Sequence, residues 1–466
     1  TGSLGKAAVT ISSSGNGTDE IFNVDGATMG TATFTVNSNA TLQGTAAKLT
    51  GVTASGAGTT EVTALHSTDA ADLSGIATTT VTAAGTLSEG TTQSFTGSLG
   101  KAAVTISSSG NGTDEIFNVD GATMGTATFT VNSNATLQGT AAKLTGVTAS
   151  GAGTTAVTAL QSTVAANLSG ISTTAVTAAA TIADATTVSF VGNLGKAAVA
   201  LTGTDGGDDI FNVDGATMGT ATFTVDANAI LQGTAAKLAG VTASGAGTTA
   251  VTALHSTLDA DLSDIDTNTT TAAFDGNGEF TGTLDDAVVT VGDGFTMTAA
   301  ATKVAGETVN KAGTGKLAVT VGSGDAGVNL TTISGTGINS VTVTENLTFT
   351  GTLHGTVATT VDDGVTLTTT AAKASGKSII EAGGESATTA ITALHSTDAA
   401  DLSGIATTTV TAAGTLSEGT TQSFTGSLGK AAVTISSSGN GTDEIFNVDG
   451  ATMGTATFTV NSNATC

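Results

Sequence analysis

The chain has 466 residues, 63 of them Gly and none Pro, Trp or Tyr, and 38 acids against 12 basic residues, all Lys, give a net charge of −26. That balance excludes nucleic acid as a partner, since phosphate neutralisation needs clustered Lys and Arg, and an anionic bilayer would repel it. Apolar residues make up 39%, which excludes a disordered acidic tail.

Internal copying organises everything else. Residues 1–60 are identical to 96–155, and residues 67–136 to 396–465. A chain that copies itself reads as a repeat protein, one continuous body rather than separate globules. The boundaries follow Phe-Thr/Val-Gly at Phe95, Phe190, Phe280, Phe349 and Phe424. They divide the chain into 1–95, 96–190, 191–280, a diverged 281–349, 350–424 and a partial 425–466.

In the first repeat, each segment opens on period-two alternation. Ala7, Val9 and Ile11 come first, then Ala32, Phe34 and Val36, then Val62 and Ala64, then Val81 and Ala83. Alternation with β-branched residues predicts short strands, and the Gly, Ser, Asn and Asp that follow predict turns. The segments, of about 20–29 residues, predict an all-β fold, a parallel β-solenoid with four or three rungs per repeat. Roughly 20 rungs at ~4.8 Å spacing would make a rod about 100 Å long. Phe22, Phe117, Phe211 and Phe446 hold one recurring position, and Phe34, Phe129, Phe223 and Phe458 another. Both sets read as core. Residues 44–52 and 67–76 are expected to form single helical turns at corners. The absence of Pro leaves every backbone N–H free for the ladder.

The segment SGNGTDEIF, residues 14–22, recurs at 109–117 and 438–446, with a variant GTDGGDDIF at 203–211. It resembles the repeats-in-toxin calcium nonapeptide, with Ser in place of the first Gly. The resemblance implies calcium held by Asp19, Asp114, Asp208 and Asp443, and Ile21 directed into the core. That family places ions between consecutive nonapeptides, whereas each stands alone here. Asp25, Asp120, Asp214 and Asp449 on the following turn would therefore complete the sites. The alternative is a Gly/Asn turn with no ion.

Nothing in the sequence points to catalysis, and no enzyme is expected. His66, His255 and His395 share a position that is Gln161 in another copy, and His354 stands apart. No Cys or His cluster has metal-ligand spacing. The SGAGTT run at 55–60 lacks the Gly-Lys-Ser/Thr ending of a phosphate loop. Outward Thr arrays allow an ice- or glycan-binding surface as a lesser reading. The uneven segment lengths argue against an ice array, and the missing Trp and Tyr argue against aromatic glycan contacts.

The phrases TAAK, GAGT and VTAL, spread over the chain, look like those of the Thr/Ala/Gly-rich repeat proteins of bacterial cell surfaces, a group of giant adhesins, S-layer-like proteins and matrix filaments. The resemblance implies an extracellular or cell-surface location and a structural filament. Its partners would be copies of itself, end to end or side by side, or the cell surface or matrix. The alternative is an adhesin stalk that spaces a binding domain elsewhere. No apolar run of about 18 residues predicts membrane insertion. Thr1 in place of Met suggests a processed or excised chain. Cys466 replaces the Leu of its copies Leu42 and Leu137, so a truncation scar or an intermolecular disulfide is expected there.

Overall fold

A computed structural model describes residues 1–15, 20–112, 115–206, 208–384, 386–441 and 443–466. The chain is a parallel β-solenoid of about 22 turns, with 46% strand and 8% helix. It divides into two compact units, each described here by itself. The first comprises Thr1–Gly233, Val241–Thr249 and Asp266–Asn268. The second comprises Thr234–Gly240, Ala250–Ile265 and Thr269–Cys466.

In the first unit, successive coils stack strand on strand. Ala103–Ser108 lies between Thr80–Leu87 and Thr128–Val131, and the latter pairs onward with Thr148–Ser150. A second column runs from Thr92–Ser94 through Glu115–Asn118 and Ala135–Thr140 to Thr154–Thr158. Every one of these pairings is parallel. The sequence step between stacked residues varies, from 18 between Thr136 and Thr154 to 26 between Asp72 and Ser98. Ala175–Ile182 then joins the two columns. Its first half pairs with Thr154–Thr158, and Ala198–Gly203 pairs along its other edge. The same hand-over occurs at Thr80–Leu87, one sequence repeat earlier.

Alternation puts the core where the sequence placed it. Val176, Ala178, Ala180 and Ile182 are buried while their neighbours face out. Ala32, Phe34, Val36, Val62, Val81 and Ala83 are buried as expected. Of the first strand, Ile11 is buried and Ala7 exposed, whereas the equivalent Ala102, Val104 and Ile106 are all buried. Ala64 is half-buried, in a left-handed conformation (φ 50°) that turns the chain into a short 3-10 turn at Leu65–Ser67.

Two expectations need correction. Ile21 does not enter the core; it is 52% exposed. In the following copies Phe117, Phe211 and Phe446 are buried, while Ile116 and Ile210 are only half-buried and Ile445 is exposed. The strand is therefore in the opposite phase to the nonapeptide resemblance, because the larger Phe takes the interior and period two forces Ile outward. Phe22 itself is half-exposed, because its strand is at the edge of its sheet. The second correction concerns 67–76, which forms no helical turn beyond Ser67. Leu73 N–H instead donates to Ser98 O of the next coil, and Asp72 bridges to Ser98. The other expected corner is helical over Ala46–Leu49 and recurs at Ala141–Leu144. Its Lys closes onto the previous coil: Lys48 Nζ donates to Ala27 O at 2.9 Å and Lys143 Nζ to Ala122 O at 2.6 Å.

Some Thr side chains point inward and pair. Thr60 and Thr78 are fully buried, with hydroxyls 2.8 Å apart. Thr78 Oγ1 donates to Thr80 O, so Thr60 is the donor of the pair. Thr155 and Thr173 repeat the contact. Thr78→Val is expected to strand the Thr60 hydroxyl in a dry core and cost about 1–3 kcal/mol, whereas replacing both Thr by Val should come close to neutral. Denaturant unfolding of the single and double variants checks this, and equal losses in both would refute it.

The second unit is built in the same way. One parallel column runs from Gly278–Phe280 through Thr296–Ala300, Lys316–Val321, Ser340–Val343 and Thr359–Val361 to Ile379–Glu381. Another runs from Thr366–Thr370 through Thr388–Thr392, Thr409–Leu416 and Ala432–Ser437 to Thr457–Val460.

Candidate functional site

The nonapeptide turn is tied to its neighbours by polar contacts. Ser108 Oγ accepts from Gly110 N–H at 2.9 Å, and Ser109 Oγ donates to Leu87 O on the preceding coil at 3.0 Å. Ser437, Gly439, Ser438 and Leu416 repeat this geometry in the second unit. The turn leads into the strand Glu115–Asn118, so Glu115 stands where the loop enters the sheet.

Glu115 is fully buried, and neither carboxylate oxygen has a hydrogen-bond partner among the described residues. Glu444 repeats this condition. Asp209, the equivalent residue of the third copy, is also fully buried. Its Oδ2 accepts from Thr204 N–H at 2.7 Å, and its Oδ1 has no partner among the described residues. Glu20, in the first copy, is half-buried, and its Oε2 has no partner among the described residues. Leaving a buried carboxylate uncompensated costs several kcal/mol, so such groups are normally paired or bound to metal.

A further acid from the coil before comes to the same turn. Carboxylate oxygens of Asp184, Asp208 and Asp209 all lie within 4.8 Å of one another. Asp205 pushes the Asp184 carboxyl above the ordinary Asp value, with smaller contributions in the same direction from desolvation and from Asp208. Glu89 occupies the place of Asp184 one repeat earlier. A Cβ added to Gly110 would collide with Glu115 Oε1 and stand 2.9 Å from Glu89 Cβ. Likewise, a Cβ on Gly439 would stand 2.7 Å from Glu444 Oε1 and 2.8 Å from Glu418 Cβ. Both Gly positions thus mark where two coils bring their acids together.

The residues singled out from sequence are divided by the structure. Asp19 and Asp114 lie outside the described residues. Asp208 is in the cluster, and Asp443 directly precedes Glu444. The second group makes other contacts. Asp25 Oδ1 accepts from Thr45 N–H at 2.7 Å, and Asp120 Oδ1 from Thr140 N–H at 2.6 Å. In each the other oxygen accepts from the Asn two residues before, at 3.2 Å. Asp214 Oδ2 accepts from Asn212 in the same way, and Asp449 N–H donates to Asn447 Oδ1. Asp25 and Asp120 therefore fasten the next coil's helical corner. The acids that sequence reasoning missed are Glu115, Asp209 and Glu444, with Glu89, Asp184 and Glu418. A doublet of acids before Ile-Phe, and one acid six residues before the boundary Phe at Phe95, Phe190 and Phe424, were the available signals.

The histidines also have structural partners. His66 Nδ1 accepts from Thr86 N–H at 3.1 Å and His395 Nδ1 from Thr415 N–H at 3.0 Å. Gln161 Oε1 accepts from Thr181 N–H at 3.1 Å in the same place, which explains the alternation of His with Gln. His395→Gln should therefore leave stability unchanged, and His395→Leu should cost about 1 kcal/mol by orphaning an N–H. Comparing their unfolding midpoints checks this, and an equal loss in both would contradict it. His255 instead packs edge-on against Phe274, with ring centroids 6.3 Å apart. His354 Nδ1 accepts from Val357 N–H, and burial lowers its pKa.

Carboxylates that accept N–H or O–H bonds set the response to acid. Backbone donation from Thr45 lowers the pKa of Asp25, and the side-chain and backbone donors of Ser74, Ser403 and Thr408 do the same for Asp72, Asp401 and Glu381. A depressed carboxyl stabilises the fold above its unfolded value, and that contribution is lost as pH falls through its folded value. Asp184 and Glu307 are raised and act in the opposite sense, losing stability as pH rises. The lowered group is the larger, so the unfolding temperature should fall below the ordinary carboxyl values of 4.5 and 3.8. A melting temperature that climbs on acidification through that range would contradict this.

No protein-family model, no curated protein and no solved structure matches the chain. Among the described residues, no helix is long and apolar enough to cross a membrane.

Proposed function

We propose that the chain is a non-enzymatic extracellular structural protein, a rod or filament unit of a bacterial surface built by stacking coils. One observation carries this reading: the same side chains meet the same partners from copy to copy. Asn118 Nδ2 donates to Gln138 Oε1 at 2.8 Å and Asn212 Nδ2 to Gln232 Oε1 at 2.9 Å. The Phe95–Phe117 stack, 5.6 Å between centroids, returns as Phe190–Phe211 at 5.7 Å and Phe424–Phe446 at 5.8 Å. Even the grooves are copied. One lined by His66, Asp69 and Gln93 has a counterpart lined by His395, Asp398 and Gln422. Catalysis calls for one distinctive constellation, whereas a scaffold calls for repetition.

In this reading the partner is another copy of the chain. Electron microscopy of the purified chain over rising concentration tests it. Fibres of uniform width are expected. Discrete rods at every concentration would sink self-assembly and leave the stalk of an adhesin, a passive spacer for a binding domain elsewhere.

A further inference from the structure

We propose that the turn where each buried acid enters the sheet is a calcium site shared by two successive coils. One carboxylate comes from the coil before, Glu89, Asp184 or Glu418, and one is the buried acid, Glu115, Asp209 or Glu444. The intervening acid is Asp208 in the second of these sites and Asp443 in the third.

Two independent observations meet here. The first is proximity: Asp184, Asp208 and Asp209 offer oxygens within 4.8 Å of one another. The second is the buried group itself. Glu115, Asp209 and Glu444 are each fully buried, and each has at least one carboxylate oxygen without a partner among the described residues. In Asp209 that oxygen is Oδ1, while Oδ2 is taken by Thr204 N–H. Carboxylates as costly as these would be exchanged for amides at no loss of shape if their charge had no use. The copies keep the acid and vary only its length, Glu at 20, 115 and 444 and Asp at 209, and in the last three copies the acid of the preceding coil varies alongside it. The shorter Asp209 is accompanied by the shorter Asp184, and Glu115 and Glu444 by Glu89 and Glu418.

The donor set selects the ion. Among the described residues the cluster offers carboxylate oxygen and neither His nor Cys, which favours a hard cation and disfavours zinc or copper. Calcium accepts irregular oxygen shells of six to eight ligands, whereas magnesium demands near-ideal octahedral geometry and sheds water reluctantly. A turn assembled from two coils with Glu in one copy and Asp in another suits the more tolerant ion. These sites differ from those that the nonapeptide resemblance implies, since Asp25 and Asp120 serve the coil corners instead.

Calorimetric titration of the full chain with calcium chloride, and its melting with calcium or chelator, test the proposal. Both readouts are independent of polymerisation. Wild type should take up calcium at the three turns and melt higher in calcium than in chelator. Glu115→Gln, Asp209→Asn and Glu444→Gln should each remove one site. The triple variant should lose the calcium-dependent rise, yet melt in chelator no lower than wild type, because the unpaired buried charges are gone. That last readout separates a ligand from an ordinary core residue. No uptake by wild type at millimolar free calcium would overturn the proposal. So would full uptake by the triple variant, which would place the ions on the acidic surface, or an equal response to magnesium.

Discussion

Gly192→Ala is expected to destabilise the first unit more than a one-carbon addition at an unobstructed glycine. Gly192 is the Gly of a repeat-boundary motif, and its backbone is not in the left-handed region. A Cβ there would land on Ala166 O and stand 2.8 Å from Ala165 C and Ala166 N. The obstacle is backbone, and it is tied in place. Ala166 O accepts from Asn193 N–H at 2.9 Å, and Gly192 N–H donates to Val164 O at 3.0 Å. The same collision with the preceding coil awaits a Cβ at Gly97, Gly282, Gly351 and Gly426. The boundary Gly is therefore a point of very close approach between coils. Overpacking costs about 1–3 kcal/mol where side chains can yield, and the loss here should reach or exceed the top of that range. Gly146→Ala is the control. It has φ +72° and nothing within 4 Å of an added Cβ, so its cost is backbone strain alone, about 1–2 kcal/mol. Chemical unfolding of the two variants ranks them, and a smaller loss at Gly192 than at Gly146 would show that coil spacing does not depend on that Gly.

The strands, their inward faces and the stacking of rungs follow from features that lie within a few residues of one another, and these were readable. Alternation marks a face, and copying marks a solenoid. The acidic turn was readable only in part. The Gly-rich nonapeptide drew attention to the right loop and to Asp208, but Glu89 and Glu115 meet only through the stacking register that sets Gln93 opposite Phe117. That register depends on the length of each coil, and the step changes from coil to coil, so no local pattern contains it. The Ile-Phe phase failed for a related reason. Both residues are apolar, and only the volume of the interior decides which one enters. The role of His66 was not legible either, because its partner, Thr86 N–H, is on the next coil.

Phe117→Ala is expected to cost about 3–5 kcal/mol, the usual loss for a large aromatic in a closed core. Phe22→Ala should cost distinctly less. The two residues sit in identical sequence, since 1–60 and 96–155 match throughout. Local propensity, turn chemistry and the unfolded chain around them are therefore nearly the same. What differs is the neighbouring coil: Phe117 is 1% exposed and stacks on Phe95, whereas Phe22 is 39% exposed. The gap between the two losses thus measures how much one coil gains from the next, the nearest-neighbour quantity on which a solenoid depends. Phe95→Ala combined with Phe117→Ala should fall short of additivity, because the rings share one contact worth about 0.5–1.5 kcal/mol beyond their burial. Equilibrium unfolding of the three single variants and the double supplies every term. Equal losses at Phe22 and Phe117 would mean that each coil is stable by itself and that stacking adds little.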